Sequence, residues 1–149
     1  MKSRILIAAV AIIVLPFVIQ LIPYGKDHNN PLVISEPSWD SSQTRELFYR
    51  ACGDCHSHET TWPWYSNYAP VSWLIAHDVD SGREHFNVSA WGVQKKNKAD
   101  EAVEVVIEGE MPPWFYVFPH PEADLSDRET SELVTGLRKT FGSKIELEK

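Results

Sequence analysis

The chain has 149 residues, of which 43% are hydrophobic, 23% are charged and only two are cysteine, with a formal net charge of −7. These counts exclude a disulfide scaffold, which needs dense cysteine, and collagen-like or low-complexity chains, which need far more glycine. A chain of this size can bury a core without covalent staples, so one compact domain is expected.

An apolar segment opens the chain. Residues 5–22 are apolar except for Pro16 and Gln20, and Lys2 and Arg4 precede them. As a helix, the segment would be about 27 Å long, close to the roughly 30 Å hydrocarbon core of a bilayer. It has no A-x-A-like cleavage site and no lipoprotein cysteine. We therefore expect an uncleaved transmembrane signal-anchor, with removal by an unusual cleavage as the alternative.

Charge predicts how this anchor is oriented. Residues 1–4, the predicted cytoplasmic n-region, are basic, whereas residues 27–149 hold 11 basic and 21 acidic residues, a net charge of −10. The positive-inside rule then predicts a single-pass protein of the bacterial inner membrane, with its body on the periplasmic or extracytoplasmic side. Because the body is acidic and lacks a basic patch, no binding to nucleic acid or to an anionic lipid surface is expected.

The segment after the anchor, residues 23–38, carries glycine, asparagine and proline without a period and is interpreted as a linker. The predicted domain covers residues 39–142, and residues 143–149 form a tail. A first helix is predicted to run into Cys52, after the cap candidates Ser41 and Ser42. Its buried stripe is expected to hold Thr44, Leu47, Phe48 and Ala51. Gly53 is expected to permit a tight turn at the helix exit.

The stretch from Thr60 to Pro70 is rich in aromatic residues and proline, which favours an ordered, packed loop over a helix or a central strand. A second helix is predicted from Val71 to about Phe86, with Pro70 at its first turn. The residues expected on its buried face are Val71, Leu74, Ile75, Val79, Gly82 and Phe86.

Two more helices complete the prediction. The third covers about residues 99–108, with Gly109 as its stop, and an extended loop over residues 110–114 follows because prolines disfavour the α conformation before them. Its stripe is Ala102, Val103, Val106 and Ile107. The last helix begins with a capping box at Ser126 and Glu129 and ends before Gly142. Its stripe is Thr130, Leu133, Val134, Leu137 and Phe141. No useful β-alternation occurs, so the body is predicted to be mainly α.

The two cysteines, Cys52 and Cys55, are three residues apart, and His56 follows directly. Cys-x-x-Cys-His is the attachment motif of c-type haem, in which the thiols bond the porphyrin vinyl groups and the imidazole binds the iron. A structural zinc site would want four ligands, a thioredoxin-like pair would want a βαβ context, and a disulfide at this spacing is sterically poor. The motif predicts one covalent haem c, with His56 as the proximal iron ligand.

Met111 is the only methionine besides the initiator, and it lies in a loop between two predicted helices, directly before Pro112. Methionine more often fills a core, but a rigid loop presents a thioether with little loss of entropy. We therefore predict that Met111 is the distal iron ligand. The alternatives are an open site and the histidines His58, His77, His85 and His120.

The order of these motifs resembles class I cytochrome c: the attachment motif, then Met-Pro-Pro, then a terminal helix that opens Leu-Ser-Asp. More narrowly, residues 39–141 resemble the bacterial haem-binding domain family of monohaem c-type proteins. The motifs behind this resemblance are Cys52-Gly-Asp-Cys-His-Ser-x-Glu-Thr, Trp62-Pro-Trp-Tyr-Ser-Asn-Tyr-Ala-Pro-Val-Ser-Trp, Asp78-Val79, Gly82-Arg83 and Asn87-x-Ser-x-Trp91. The resemblance implies a cytochrome c-like helical domain, export before haem attachment and electron transfer.

The resemblance also suggests residues around the haem. Indole, phenol and guanidinium groups can donate to haem propionates, and the alternative is that the aromatic residues only fill the core. The haem-pocket candidates are Trp64, Tyr65, Trp73 and Arg83. In cytochromes c, a proline carbonyl after the motif orients the ligand histidine, and the candidates for that role here are Pro63 and Pro70.

Together these features predict a membrane-anchored monohaem c-type cytochrome that is an electron carrier and not an enzyme. Its His/Met-ligated iron would exchange electrons with redox partner proteins of the bacterial envelope. The alternative is a haem-based ligand-binding or sensor module, in which a gas displaces Met111. A peroxidase ranks below both because no distal His/Arg pair adjoins the iron site in the sequence.

Overall fold

The structure is a computed structural model, and it describes residues 2–142. Its α-helices are α1 Lys2–Val18, α2 Ser42–Ala51, α3 Gly53–His56, α4 Val71–His85, α5 Ala102–Ile107, α6 Trp114–Val117 and α7 Asp127–Phe141. Short 3-10 turns cover Ile19–Leu21, Trp64–Asn67, Ala99–Glu101 and Pro121–Ala123. No strand forms within residues 2–142, so the predicted mainly helical fold is confirmed. The predicted tail and residue 1 lie outside the described residues.

The chain divides into two compact units. The first unit holds residues up to Asn29 together with Trp62–Asp78, and the second holds Asn30–Thr61 and the residues from Val79 onward. Part of the predicted linker is hydrogen-bonded within the second unit, since the Ile34 amide donates to the Ser89 carbonyl at 2.8 Å. The boundaries predicted at residues 23–38 and 39–142 stay a prediction.

The apolar helix predicted over residues 5–22 is present in the first unit as α1 and the 3-10 turn after it. The stretch Ser3–Leu21 has a mean hydropathy of 2.5 and none of it is buried. In the part of the chain that the structure describes, this helix alone is long and apolar enough to cross a membrane. A signal sequence near the N-terminus can have the same length and apolar composition as this helix.

The core of the second unit lies where α2, α5 and α7 meet. The α2 stripe is buried as predicted, and Leu133 and Leu137 of α7 are buried against it. Gly136 permits this contact, because a β-carbon there would collide with the Thr44 side chain. The buried residues of this core are Leu47, Phe48, Phe86, Val88, Ala99, Ala102, Val103, Val106, Leu133 and Leu137.

The prediction of which side chains are buried at the start of α4 is wrong. Val71 and Leu74 are 43% and 52% exposed, whereas Ser72 and Ala76 are buried. The reason is a close approach of backbone to backbone: Gly25, at φ +74°, lies so near the Ser72 carbonyl that a β-carbon would overlap it. The helix therefore packs through its small residues, and apolarity alone does not find that face.

Two smaller differences concern the third predicted helix and the loop after it. The helix begins as the 3-10 turn Ala99–Glu101, and Ile107 is 56% exposed instead of buried. Gly109 ends it at φ +73°, as expected for a glycine stop. The loop is shorter than predicted, because the chain turns into α6 at Trp114.

The predicted capping box at the start of α7 is present and is joined to α2 by an ion pair. The Ser126 hydroxyl accepts from the Glu129 amide, the Glu129 carboxylate accepts from the Ser126 amide, and Arg50 Nη2 lies 2.5 Å from Glu129 Oε1. The Arg50 guanidinium and the Ser126 donors hold the pKa of Glu129 at about 2. The ionised carboxylate therefore links the two helices at neutral pH.

This link predicts a component of acid sensitivity. A depressed carboxylate pKa stabilises the fold above the unfolded value of 4.5, and this stability is lost as the pH falls towards 2. We expect the melting temperature to fall more steeply between pH 5 and pH 2 in the unmodified protein than in Glu129→Gln. Parallel pH profiles in thermal melts would contradict this role for Glu129.

Candidate functional site

The attachment motif forms a single helical turn at the end of α2. The Cys52 amide donates to the Phe48 carbonyl at 2.7 Å and closes α2. The Cys55 and His56 amides then donate to the Cys52 carbonyl at 3.2 and 3.0 Å. No disulfide joins Cys52 and Cys55, which leaves both sulfurs as thiols. The turn thus places two thiols and an imidazole within one short, hydrogen-bonded segment.

Gly53 has a different role from the one predicted. It is buried inside the motif turn, and a β-carbon there would lie 2.9 Å from Cδ1 of Tyr49. Its backbone does not have a positive φ, so no tight turn requires glycine here. Glycine instead lets the motif turn lie against the last turn of α2.

His56 is held in one orientation and one tautomer. Its Nδ1 lies 3.1 Å from the Phe86 carbonyl, and its ring stacks on the Phe86 ring with centroids 4.2 Å apart. A carbonyl can only accept, so Nδ1 carries the proton and Nε2 keeps its lone pair. Burial lowers the pKa of His56 and so favours the neutral imidazole. The orienting carbonyl belongs to Phe86, which corrects the expectation of Pro63 or Pro70.

The Cys52 thiol lies against the protein interior. Cys52 keeps part of its surface exposed, and the protein packed around its sulfur raises the pKa of this thiol to about 12, with a smaller contribution from Cys55. Cys52 also packs against the core of the second unit.

Among residues 2–142, no group of three or more His, Cys, Asp or Glu side chains is placed to hold a metal ion. The zinc alternative therefore has no ligand set in this part of the chain.

The Arg83 guanidinium hydrogen-bonds the segment that follows the motif. Its Nε donates to the Ser57 carbonyl at 2.8 Å, and Nη2 donates to Thr60 Oγ1 at 2.9 Å and to Asn30 Oδ1 at 3.1 Å. Burial lowers the pKa of Arg83, against the opposing effect of Asp80. These bonds fix the chain immediately after His56. The predicted role of Arg83 towards a haem propionate stays a prediction.

Gly82 brings α4 against the motif turn. A β-carbon at Gly82 would lie 2.6 Å from the Cys55 carbonyl oxygen and 2.9 Å from the Cys55 β-carbon. Both atoms are held by the motif turn, so neither can move away like the end of a flexible side chain. The sequence placed Gly82 on the buried face of this helix and in the Gly82-Arg83 motif, and the structure shows that this face contacts Cys55.

We expect Gly82→Ala to destabilise the protein by about 1–3 kcal/mol, because it overpacks a rigid contact. The sign of the change in the free energy of unfolding tests this contact, because Gly→Ala in a helix with open space at that position stabilises by roughly 0.5–1 kcal/mol. Chemical denaturation of the purified protein measures the difference, with Ser81→Ala on the same helix as the control. Unchanged or increased stability in Gly82→Ala would show that the turn has room for the extra methyl.

The Met111 loop is tied at both ends within the second unit. The Glu110 and Met111 amides both donate to the Val105 carbonyl, at 2.9 and 3.1 Å. Further along, Tyr116 Oη donates to Asp54 Oδ2 at 2.8 Å. Asp54 lies between the two cysteines, so this bond joins the segment that carries Met111 to the attachment motif. Nothing in the sequence pointed to Tyr116, because the bond spans 62 positions.

The same segment exposes several large apolar side chains. They are Met111 at 38%, Trp114 at 80%, Phe115 at 44% and Phe118 at 87% exposed. Several large apolar side chains exposed within one segment mark a ligand or interaction surface. A porphyrin is a large apolar ligand, so this segment and the adjoining motif fit haem.

Three of the four histidines considered as alternative ligands contact a backbone carbonyl of the second unit through Nδ1. His58 Nδ1 lies 2.9 Å from the Leu32 carbonyl, and His85 Nδ1 lies 3.3 Å from the Ser81 carbonyl. His120 stacks on Tyr116 and its Nδ1 lies 2.9 Å from the Tyr116 carbonyl. His77, in the first unit, is exposed.

The other haem-pocket candidates lie in the first unit. Trp64 is 77% exposed and packs edge-on against Tyr65, with ring centroids 5.7 Å apart. Trp73 is partly buried, and its Nε1 is buried without a hydrogen-bond partner. An orphaned indole N–H is a donor available to a ligand. The assignment of these three residues to a haem pocket stays a prediction.

The motif turn presents two thiols and an oriented, neutral imidazole within a mainly helical unit, and this set of groups is typical of the class of haem-binding proteins. Residues 14–139 match the family described as Haem-binding domain. The chain belongs to this haem-binding domain family, and its cofactor is haem. No curated protein and no solved structure matches the chain.

Proposed function

We propose that this protein is a membrane-anchored monohaem c-type cytochrome that transfers electrons. The observation that carries the proposal is the geometry of His56, whose Nδ1 lies 3.1 Å from the Phe86 carbonyl, so that Nε2 is the nitrogen that would bind iron. Metal-binding histidines typically donate their other N–H to such an acceptor, which fixes the ring. The two thiols on the same turn would supply the covalent attachment points.

Each residue has a defined role in this proposal. Cys52 and Cys55 would hold the haem through thioethers, His56 would bind iron on one side, and Met111 would bind it on the other. Bound haem supplies a one-electron couple between ferric and ferrous iron. The protein orients the two ligands, limits the access of water and sets the potential through the Met111 thioether. Tyr116 would position the Met111 segment through its bond to Asp54.

The proposed location follows from the apolar helix and the charge pattern. Residues 5–22 would anchor the chain in the bacterial inner membrane, with the haem domain on the periplasmic side, where haem c is attached. Tethering raises the effective concentration near membrane redox partners. The partners would be envelope redox proteins with a basic surface, because the body has a net charge of −10. Association should then weaken with added salt.

A set of visible spectra of the full-length protein from the membrane fraction tests the proposal. We expect a low-spin ferric spectrum, a reduced spectrum typical of haem c, and slow CO binding, because CO would have to displace Met111 or His56. The haem should remain with the polypeptide after denaturation. A high-spin ferric spectrum, or haem that dissociates on denaturation, would overturn the His/Met-ligated haem c.

A ligand-binding or sensor module is the second candidate, and the exposure of Met111 favours it. Because Met111 is 38% exposed, a diatomic gas could approach its thioether from solvent and displace it. Fast CO binding to the ferrous protein, with a low-spin ferric state in its absence, would support this function over electron transfer.

A further inference from the structure

Gln20, a polar residue in the apolar run, is paired with the aromatic-rich segment of the first unit. Its side-chain Nε2 donates to the Ala69 carbonyl at 2.8 Å, and its Oε1 accepts from the Ala69 amide at 2.9 Å. Nε2 also donates to the Pro16 carbonyl at 2.9 Å. The Lys26 ammonium donates to the Gln20 carbonyl. The end of the apolar helix is therefore fastened to one backbone position of residues 62–69.

The residues beside this junction are exposed aromatics. Trp64 is 77% exposed and Tyr68 is 57% exposed, and their rings meet edge-on with centroids 6.2 Å apart. Tyr68 is the direct neighbour of Ala69. Tyr24, shortly after the helix ends, is 51% exposed. Tryptophan and tyrosine are the side chains enriched where a membrane meets water, because one end of each is apolar and the other is polar.

The length of the apolar helix places this junction at a definite depth. From Ile5 to Gln20 the helix spans roughly 24 Å at 1.5 Å per residue, so a crossing helix would bring Gln20 to the edge of the hydrocarbon core. Tyr68 adjoins Ala69 in the chain, so its α-carbon lies about 3.8 Å from that of Ala69. The headgroup region is about 5–8 Å thick, so Tyr68 is within its reach, and the Trp64 ring lies against the Tyr68 ring with centroids 6.2 Å apart.

We propose that residues 62–69 form a second membrane contact, in which Trp64 and Tyr68 lie in the lipid headgroup region of the bilayer that residues 5–22 cross. The inference rests on the proposed membrane anchor. The Gln20–Ala69 pair satisfies backbone groups that the membrane edge would otherwise leave unpaired. The contact depends on aromatic side chains, which suits a body that lacks a basic patch. Residues 14–139 match the family, so this junction lies inside the matched region.

The test uses haem-loaded, full-length protein in phosphatidylcholine proteoliposomes, with a nitroxide label on Asn67→Cys. Asn67 is exposed, lies in the same turn as Trp64, and leaves both aromatic residues intact. Collision of the label with oxygen, which dissolves in lipid, is compared with collision with a water-soluble nickel chelate. Lys95→Cys, an exposed position in the second unit, is the matched control, and unmodified protein gives the background.

We expect a ratio of oxygen to nickel collisions at position 67 several-fold above that at position 95. Gln20→Leu, which keeps the helix apolar but breaks the pair with Ala69, should lower the ratio at position 67 towards the control value. Equal ratios at the two positions, in protein that stays in the vesicles with an unchanged haem spectrum, would overturn the second contact but keep the anchor. Protein that leaves the vesicles would overturn the anchor itself, and the contact with it.

Discussion

Replacing Cys52 and Cys55 together with alanine should abolish covalent haem attachment. With both thiols gone, no thioether can form, and haem held by axial ligands alone is lost when the protein is denatured. Haem staining of a denaturing gel and acid–acetone extraction measure this directly. We expect no haem to remain with the double variant, whereas the unmodified protein keeps all of it.

The single variants separate the two thiols. With one cysteine left, we expect one thioether, so haem stays with the chain but its reduced band moves to longer wavelength because one vinyl group remains conjugated. Cys52→Ala should reduce accumulation more than Cys55→Ala, because Cys52 packs against the core of the second unit. Thr135→Ala, an exposed change on α7, is the control and should alter neither measurement.

Loss of covalent haem attachment should also lower the stability of the fold. Covalent haem stays on the unfolded chain as well, but its ligation by His56 and Met111 would form only in the folded state, so loss of the cofactor removes stability from that state. The double variant should therefore melt at a lower temperature and accumulate poorly. A double variant that accumulates normally and melts like the unmodified protein would contradict a fold that depends on covalent haem.

The sequence predicts the periodic parts of this fold well, because a strict helical period is a local property of the chain. The stripe of α2 and the capping box of α7 are present at the predicted residues. The prediction that Val71 and Leu74 are buried is wrong, because α4 packs there through Ser72, whose backbone approaches Gly25. That contact joins positions distant in sequence, and no local pattern records it.

In the candidate site, too, the sequence predicts the local features but not the contacts between distant positions. The ligand types at positions 52, 55 and 56 follow from one contiguous motif, so the sequence identifies them. The partner of His56 is a backbone carbonyl 30 positions away, and a backbone group leaves no signature in the side-chain pattern. Tyr116 reaches Asp54 only through the tertiary fold. These supporting contacts needed the structure.

Replacing Met111 with alanine should convert the iron from low spin to high spin while the protein stays folded. The side chain is 38% exposed, so its loss should cost only about 1 kcal/mol of stability. A thioether favours ferrous iron, so we expect the reduction potential to fall by roughly 0.1 V or more. Electron paramagnetic resonance and potentiometric titration measure the two effects, and CO should bind the ferrous variant rapidly.

Two variants in the same segment separate ligation from packing. Trp114→Ala removes a larger exposed side chain three residues away and should leave the spin state unchanged. Tyr116→Phe removes only the hydroxyl that donates to Asp54, so a positioning role predicts a partly high-spin mixture that Met111→Ala converts fully. Met111→His should restore a low-spin spectrum at a potential below that of the unmodified protein. If Met111→Ala stays low spin at an unchanged potential, another residue is the ligand, and His85, His58, His77 and His120 become the positions to replace.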